Sequence, residues 1–308
     1  MSDADLLLAG DVSGDERAAF RAVLGERVTD TPAHDVRYAA CWGPEPGLLA
    51  SLPALRAIFS LGAGVDHLLR DPDLPDVPVV RFVDPDLTGR MVEYVVLQCL
   101  MHLRRQRAYD TAQHARRWQR HAMASARETT VGIMGLGTLG RACAAALLAV
   151  GFDVRGLMRT RRPVENVETF GEAQRAAFLA GTDILVNLMP YTAYTHAMID
   201  AALVDALRST GPFGAPAIVN AGRGGSQVEA DIDAALRDGR LSGASLDVFG
   251  TEPLPATSPL WDAPGAILTP HVAAITDPLA MARYVAGEID RIERGEAPRN
   301  TVERARGY

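Results

Sequence analysis

Three polar side chains stand directly after apolar runs in the C-terminal half of the chain: Arg223 after "AIVNAG", Glu252 within "ASLDVFGTEP" and His271 after "AILTP". Each run has the length and composition of a buried strand, so the three residues fall at strand carboxyl ends, the edge where open α/β sheets bind ligands. A guanidinium holds a carboxylate and polarises the carbonyl beside it. An imidazole gives a proton to the alkoxide that forms as hydride arrives, and a nearby carboxylate stabilises the protonated ring. This set suits reduction of a 2-keto acid, with Arg223 on the substrate, His271 as general acid/base and Glu252 as its partner. Singly, each has a plainer use: a surface arginine, a Glu-Pro turn, a Pro-His strand cap. Their order and equivalent placement favour the joint reading.

Upstream lies "TTVGIMGLGTLGRACAAALLAVGFDVRGLMR", in which Gly135, Gly137 and Gly140 form G-x-G-x-x-G between a strand pattern and an Ala-rich helix. Gly135 permits the tight turn, Gly137 lets backbone approach a pyrophosphate, and Gly140 allows close helix–sheet packing; Thr138 and Leu139 open the helix whose N-terminus faces the phosphates. The alternative is another glycine-turn use, such as that of methyltransferases. The second strand ends in "LMRTRRP", where Arg159, Thr160, Arg161 and Arg162 stand with no acid before Glu165. An acid there would hold a ribose 2′-hydroxyl; planar guanidinium groups suit a 2′-phosphate. NADP(H) is the preferred cofactor, NAD(H) stays compatible, and a solvated arginine loop is the plainer alternative.

Positioning such residues requires β-α units, and the chain has their rhythm. "DLLLAG", "VRYAACW", "LRAIFSLG" and "VPVVRFV" read as strands of a first α/β domain, with "GDERAAFRAVLG" helical between them. The segment 86–121 reads as a long helix followed by another, and a last helix as 276–295. "TTVGIMG", "GFDVRGLM", "TDILVNLMP", "PAIVNAG", "LSGASLDVF" and "GAILTPH" form a second strand series. In the first domain, Ala63, Gly64 and Val65 make a small-residue corner able to offer amides to a carboxylate. Trp42 can wall off a small substrate. A plain turn and core packing are the competing readings of these two features, and Arg90 and Trp118 read as structural.

Composition bounds the rest. The chain has 308 residues, 48% of them hydrophobic and 22% charged, enough for two cores. A net charge of −7 argues against nucleic-acid or anionic-membrane partners. No apolar stretch approaches the ~20 residues of a membrane span, and "MSDADLLLAGDVSGDE" has no basic leader. Cys41, Cys99 and Cys143 suit reduced core thiols, which makes the cytoplasm the default compartment. All 31 basic residues are arginine, which excludes Schiff-base chemistry, lysine bases and the lysine of nucleoside triphosphatases. His34, His67, His102, His114, His121 and His196 show no metal-ligand spacing, so no metal is expected.

The runs "GLGTLG", "NAGRGG", "LDVFGTEPLP", "SPLW" and "TPHVAAIT" resemble the D-isomer-specific 2-hydroxyacid dehydrogenase family over most of the chain. "LGAGVDHL", "HLRRQRAYD", "MRTRRP" and the terminal "RARGY" are similar to members that reduce glyoxylate and hydroxypyruvate. The resemblance implies an α/β protein with two Rossmann-like/flavodoxin-like domains and parallel sheets. A discontinuous substrate domain, 1–94 with 273–308, would carry an inserted dinucleotide-binding domain, 95–272, with the active site in the cleft. It gives Arg223, Glu252 and His271 the roles above, sets Asp247 near the nicotinamide carboxamide and lines the cofactor with Leu188 and Ala221. It also implies a homodimer. "DLTGRMVEY" departs from the commoner asparagine-containing pattern and leaves side-chain selectivity open. The expectation is an NADP(H)-preferring reductase of small 2-keto acids. Two alternatives stand beside it: a non-catalytic dinucleotide-sensing binding protein on this scaffold, and a dehydrogenase of another 2-hydroxy acid.

Overall fold

Short apolar runs and amphipathic stretches alternate as β-α units in the computed structural model, which describes residues 4–304. Met1–Asp3, and Ala305–Tyr308 of the "RARGY" run, lie outside the described residues. In chain order come β1 (Leu6–Gly10), α1 (Gly14–Leu24), β2 (Val28–Thr29), β3 (Tyr38–Trp42), β4 (Ala57–Ser60), α2 (Asp66–Leu69) and β5 (Val79–Val80), then α3 (Pro85–Leu103) and α4 (Gln106–His114). The second series is β6 (Thr130–Met134), α5 (Thr138–Val150), β7 (Asp153–Leu157), β8 (Glu168–Phe170), α6 (Arg175–Ala180) and β9 (Ile184–Asn187). It continues with α7 (Ala201–Ala206), β10 (Ala217–Asn220), α8 (Glu229–Asp238), β11 (Gly243–Leu246), β12 (Ala266–Leu268) and α9 (Pro278–Glu293). Internal packing divides the chain into residues up to Leu87 with those from Ile275 onward, and Thr88–Ala274.

The first unit holds a parallel sheet in the order β2-β1-β3-β4-β5. Leu7, Ala39, Ile58, Leu68 and Val79 meet in its core. Ser13 and Glu16 form a capping box at α1, and Asp277 caps α9 with Pro278 at its first turn, so both helices start where their orphan amides are satisfied. The two helices pack on each other.

The second unit holds a seven-stranded parallel sheet, β12-β11-β10-β9-β6-β7-β8. Its central strands β6, β9 and β10 are largely apolar because both faces are covered, while the flanking β7 and β8 carry Asp153, Arg155 and Glu168. Alternate residues serve opposite cores: Ile133, Val186 and Val219 on one side, Met134, Leu185 and Ile218 on the other. From β6 the chain builds outward first through β7 and β8, then on the other side through β9 to β12. The carboxyl ends of β6 and β9 are therefore the switch point where such sheets open a ligand crevice.

Two parts of the sequence reading need correction. The long helix and the one after it form as α3 and α4, with Arg105 in left-handed backbone (φ 51°) between them, but the second stops at His114: Arg116 is left-handed (φ 52°) and residues 115–125 form no regular element. That stretch, "ARRWQRHAMAS", has no apolar stripe to bury, and Trp118 is 97% exposed. The edge strands β2 and β8, of two and three residues, are too short for periodicity to reveal. Among the described residues no helix is long and apolar enough to cross a membrane, no His/Cys/Asp/Glu cluster could hold a metal, and the three cysteines are free and buried.

Candidate active site

The Arg223 corner is built by close approach. β10 ends at Asn220, and a Cβ on Gly224 would lie 1.9 Å from the Phe249 carbonyl oxygen; one on Gly222 would lie 2.9 Å from Asn187 Nδ2 and the Met189 carbonyl. Only glycine fits on either side of the arginine. The Arg223 carbonyl accepts from Ser226 Oγ at 2.5 Å and Asn220 Nδ2 at 3.2 Å, while its Nη1 donates to the Gly222 carbonyl at 2.9 Å. Beneath the corner lies a buried polar network. Asn187 Nδ2 donates to Asn220 Oδ1 (2.9 Å) and Ser226 Oγ (3.0 Å), Asn220 Nδ2 to Gln227 Oε1 (2.7 Å), and Gln227 Nε2 to the Val248 carbonyl (2.8 Å). Partners so linked in a low-dielectric interior hold one geometry.

The end of β12, two strands away from β10 in the sheet, leads into the histidine. His271 takes left-handed backbone (φ 55°), and its amide donates to the carbonyls of Asp247 (2.8 Å) and Thr269 (3.0 Å). The buried Asp247 carboxylate accepts from Thr269 Oγ1 (2.6 Å), the Val272 amide (2.9 Å) and the Ala273 amide (2.9 Å), and so folds the histidine loop around itself. Tyr94 on α3 adds a 2.9 Å hydrogen bond to Thr269 Oγ1.

His271 Nδ1 lies 2.8 Å from Glu252 Oε2, and Glu252 Oε1 accepts from the Phe249 amide at 2.9 Å. Partial burial pushes the Glu252 carboxyl up; the hydrogen bonds from His271 and Phe249, and the charges of His271 and Arg223, outweigh it and hold the group below its ordinary value. Glu252 is thus a carboxylate at neutral pH and can only accept, so Nδ1 carries a proton and Nε2 becomes the nitrogen that exchanges one. The two side chains are 39% and 36% exposed, within reach of a ligand. Gly224 packs on Phe249, Phe249 holds Glu252 and Glu252 holds His271, which links the arginine corner to the proton-donating pair.

At the switch point the glycine loop has the geometry its spacing predicts. Gly135 adopts φ 98°, and a Cβ on Gly140 would sit 2.0 Å from the Gly135 carbonyl oxygen. Around Gly137 nothing lies within 4 Å of the Cβ position, so the entry to α5 is open to a ligand. Thr138 is exposed and Leu139 half-buried beside it. Leu188 touches Gly135 from the end of β9, and Ala221 follows β10, its amide bonded to the Asn187 carbonyl at 3.2 Å. Arg159, Thr160, Arg161 and Arg162 are exposed after β7, and among the described residues none of the three arginines pairs with a carboxylate. An open amide cradle flanked by arginines unpaired with acid fits a phosphorylated dinucleotide.

In the first unit, β4 runs into the turn 61–65. Among the described residues no acceptor takes the amides of Ala63, Gly64 and Val65. The Val65 side chain is 3% exposed in the core, so this residue can meet a ligand only through its main chain. Trp42, at the end of β3, is half-buried against His67, with ring centroids 4.3 Å apart. The sequence reading missed Asn187, Asn220, Ser226 and Gln227. A signal was present: "ILVN" and "AIVN" each end an apolar strand on asparagine.

The NAD-binding domain profile of the D-isomer specific 2-hydroxyacid dehydrogenases matches residues 96–273. Glyoxylate/hydroxypyruvate reductase A of Klebsiella pneumoniae subsp. pneumoniae is 43% identical over 294 residues, 92% of each chain. Among solved structures, a probable 2-hydroxyacid dehydrogenase from Rhizobium etli CFN 42, in complex with NADP, HEPES and L(+)-tartaric acid, superposes with a TM-score of 0.93 at 44% identity, covering 98% of both chains. The NADPH-dependent glyoxylate/hydroxypyruvate reductase of Sinorhizobium meliloti, in complex with NADP and sulfate, gives 0.93 at 45% identity, covering 99% of this chain and 100% of that one.

Proposed function

The chain belongs to the D-isomer specific 2-hydroxyacid dehydrogenase family, and from that membership we propose that it reduces small 2-keto acids, glyoxylate and hydroxypyruvate first among them, with NADP(H) preferred and NAD(H) compatible. The observation that carries the reading to residues is the 2.8 Å bond between His271 Nδ1 and Glu252 Oε2, on the same sheet edge as the glycine loop. When bound, NADPH supplies the hydride for carbon 2 of the keto acid. Arg223 holds the substrate carboxylate and polarises the 2-keto oxygen. His271 Nε2 gives that oxygen its proton, and Glu252 stabilises the imidazolium until it does so. The proton leaves from one nitrogen while the other keeps its hydrogen bond, so the ring does not have to turn.

Gly135, Gly137, Thr138, Leu139 and Gly140 would receive the pyrophosphate, Arg159, Thr160 and Arg161 the 2′-phosphate, and Leu188 and Ala221 would line the nicotinamide end. Asp247 holds the His271 loop and, in this proposal, stands near the carboxamide. In the first unit, Ala63, Gly64 and Val65 would receive a carboxylate on their amides, and Trp42 would wall a small substrate. The proposed domains are 1–94 with 273–308, for substrate, and 95–272, for the dinucleotide. A homodimer is supported by the family membership and by the exposed Trp118 ring, and a cytoplasmic location by three free, buried thiols. Purified protein mixed with NADPH and either glyoxylate or hydroxypyruvate should consume the reduced nicotinamide and release the 2-hydroxy acid. Tight NADPH binding without turnover on any 2-keto acid would point to a dinucleotide sensor instead.

A further inference from the structure

His67 is a buried titratable residue of the first unit that the proposed chemistry does not use. It lies on α2, 8% exposed. Its Nδ1 accepts from the Gly43 amide at 3.1 Å, which requires the neutral ring to carry its hydrogen on Nε2. Nε2 lies 3.0 Å from Ser60 Oγ and therefore donates to it; Ser60 Oγ in turn donates to the Gly64 carbonyl at 2.7 Å. The pair is not a nucleophile and its base, because the nitrogen facing the hydroxyl already holds a proton and Ser60 is 1% exposed. The chain of bonds runs instead from the end of β3, through the imidazole, to the turn whose amides at residues 63–65 are open.

The same ring fixes the tryptophan. Trp42 lies against the imidazole on one side, with centroids 4.3 Å apart. On another side it fills the space over Gly62, where a Cβ would come within 2.7 Å of Trp42 Cζ3. The indole is thus held between His67 and a glycine that must stay bare. We infer that His67 is a positioning residue that locks the 62–65 turn and the Trp42 ring into one rigid corner, and thereby both aligns the amides for a carboxylate and limits the keto acid to a short side chain. The inference rests on the proposed role of that turn in receiving substrate.

The test compares kinetics on glyoxylate, on 2-ketobutyrate and on NADPH. His67→Phe keeps an aromatic face for Trp42 but loses both nitrogens, and Ser60→Ala removes the hydroxyl alone, so it carries the test should the phenylalanine variant fail to fold. Each should raise KM for glyoxylate about tenfold, the scale of one lost buried hydrogen bond, and narrow the preference for glyoxylate over 2-ketobutyrate. The kcat and the KM for NADPH should stay within about twofold. His67→Gln, whose amide can replace Nε2 as donor to Ser60, should recover most of the glyoxylate KM. Folded variants with unchanged keto-acid KM and unchanged discrimination would overturn the inference while leaving the proposed activity standing. A wild-type protein that consumes no NADPH with either acid would overturn both.

Discussion

His271 and Glu252 form a pair in which the carboxylate is already committed twice, to Nδ1 and to the Phe249 amide, so the two residues should separate under mutation. His271→Gln removes the proton donor and should lower kcat by about 10²- to 10⁴-fold, with NADPH affinity in a fluorescence titration nearly unchanged. Glu252→Gln keeps an acceptor for Nδ1 but loses the charge. Its kcat/KM should fall by about tenfold, because the imidazolium loses its stabilising anion. An unchanged kcat/KM would show that Glu252 orients the ring without stabilising its charge. The arginines after β7 give an independent reading, since replacing Arg159 and Arg161 by serine removes the charge proposed for the 2′-phosphate. The ratio of kcat/KM for NADPH over NADH should fall at least about tenfold; an unaltered ratio would place the discrimination elsewhere.

Elements decide what a glycine does, and the dinucleotide loop contains two opposite cases. At Gly140 an added Cβ would meet the Gly135 carbonyl oxygen at 2.0 Å, inside the contact between α5 and β6. Gly140→Ala must therefore push the helix off the sheet and should cost about 1–3 kcal/mol in denaturant unfolding. At Gly137 the φ of −75° suits any residue and the space is open. Gly137→Ala should keep the wild-type melting temperature and raise KM for NADPH about tenfold, because the methyl group occupies space meant for phosphate. Equal melting losses in the two variants would sink the distinction. The loop was legible in sequence because three glycines at fixed spacing, between a strand and a helix, record a backbone requirement directly. Arg223, Glu252 and His271 were legible because each interrupts or ends an apolar run. Of the network of Asn187, Asn220, Ser226 and Gln227 only the two strand-ending asparagines left a trace in the sequence, since buried polar side chains look like any others until their partners from β9, β10 and the following turn are brought together. The supposed helix beyond His114 failed for a related reason: the absence of proline and glycine permits a helix but supplies no apolar face to hold one.

Acid stability is a property of the molecule as a whole, and His102, which governs its upper window, stands apart from the proton-donating pair. His102, on α3, donates from Nε2 to Ser245 Oγ at 2.8 Å, since that hydroxyl itself donates to Gln98 Oε1 at 2.8 Å, and the imidazole packs against Gly243 of β11. Burial pushes its pKa down to about 4 from an ordinary 6.5. Above pH 6.5 the ring is neutral folded and unfolded, and contributes nothing to the pH dependence. Between 6.5 and 4 the unfolded chain takes up a proton that the native one refuses, so stability falls as pH falls, by up to about 3 kcal/mol across the window; below 4 both states are protonated and this loss levels off. Glu252 and Asp5 behave differently. At Asp5, burial raises the carboxyl, but the hydrogen bond and charge of Arg27, with Arg37, outweigh it and hold the group below its ordinary value. Their stabilisation is complete above the ordinary carboxylate range and is lost only as pH drops through the lowered values. Two windows of acid destabilisation should follow. In calorimetric melts from pH 7 to 3, His102→Gln, which retains a donor for Ser245, should show a flatter decline than wild type down to about pH 4, below which the two proteins should fall together. Parallel declines across the upper window would mean that the His102 ring finds a proton acceptor in the native state, or that another buried group sets the slope.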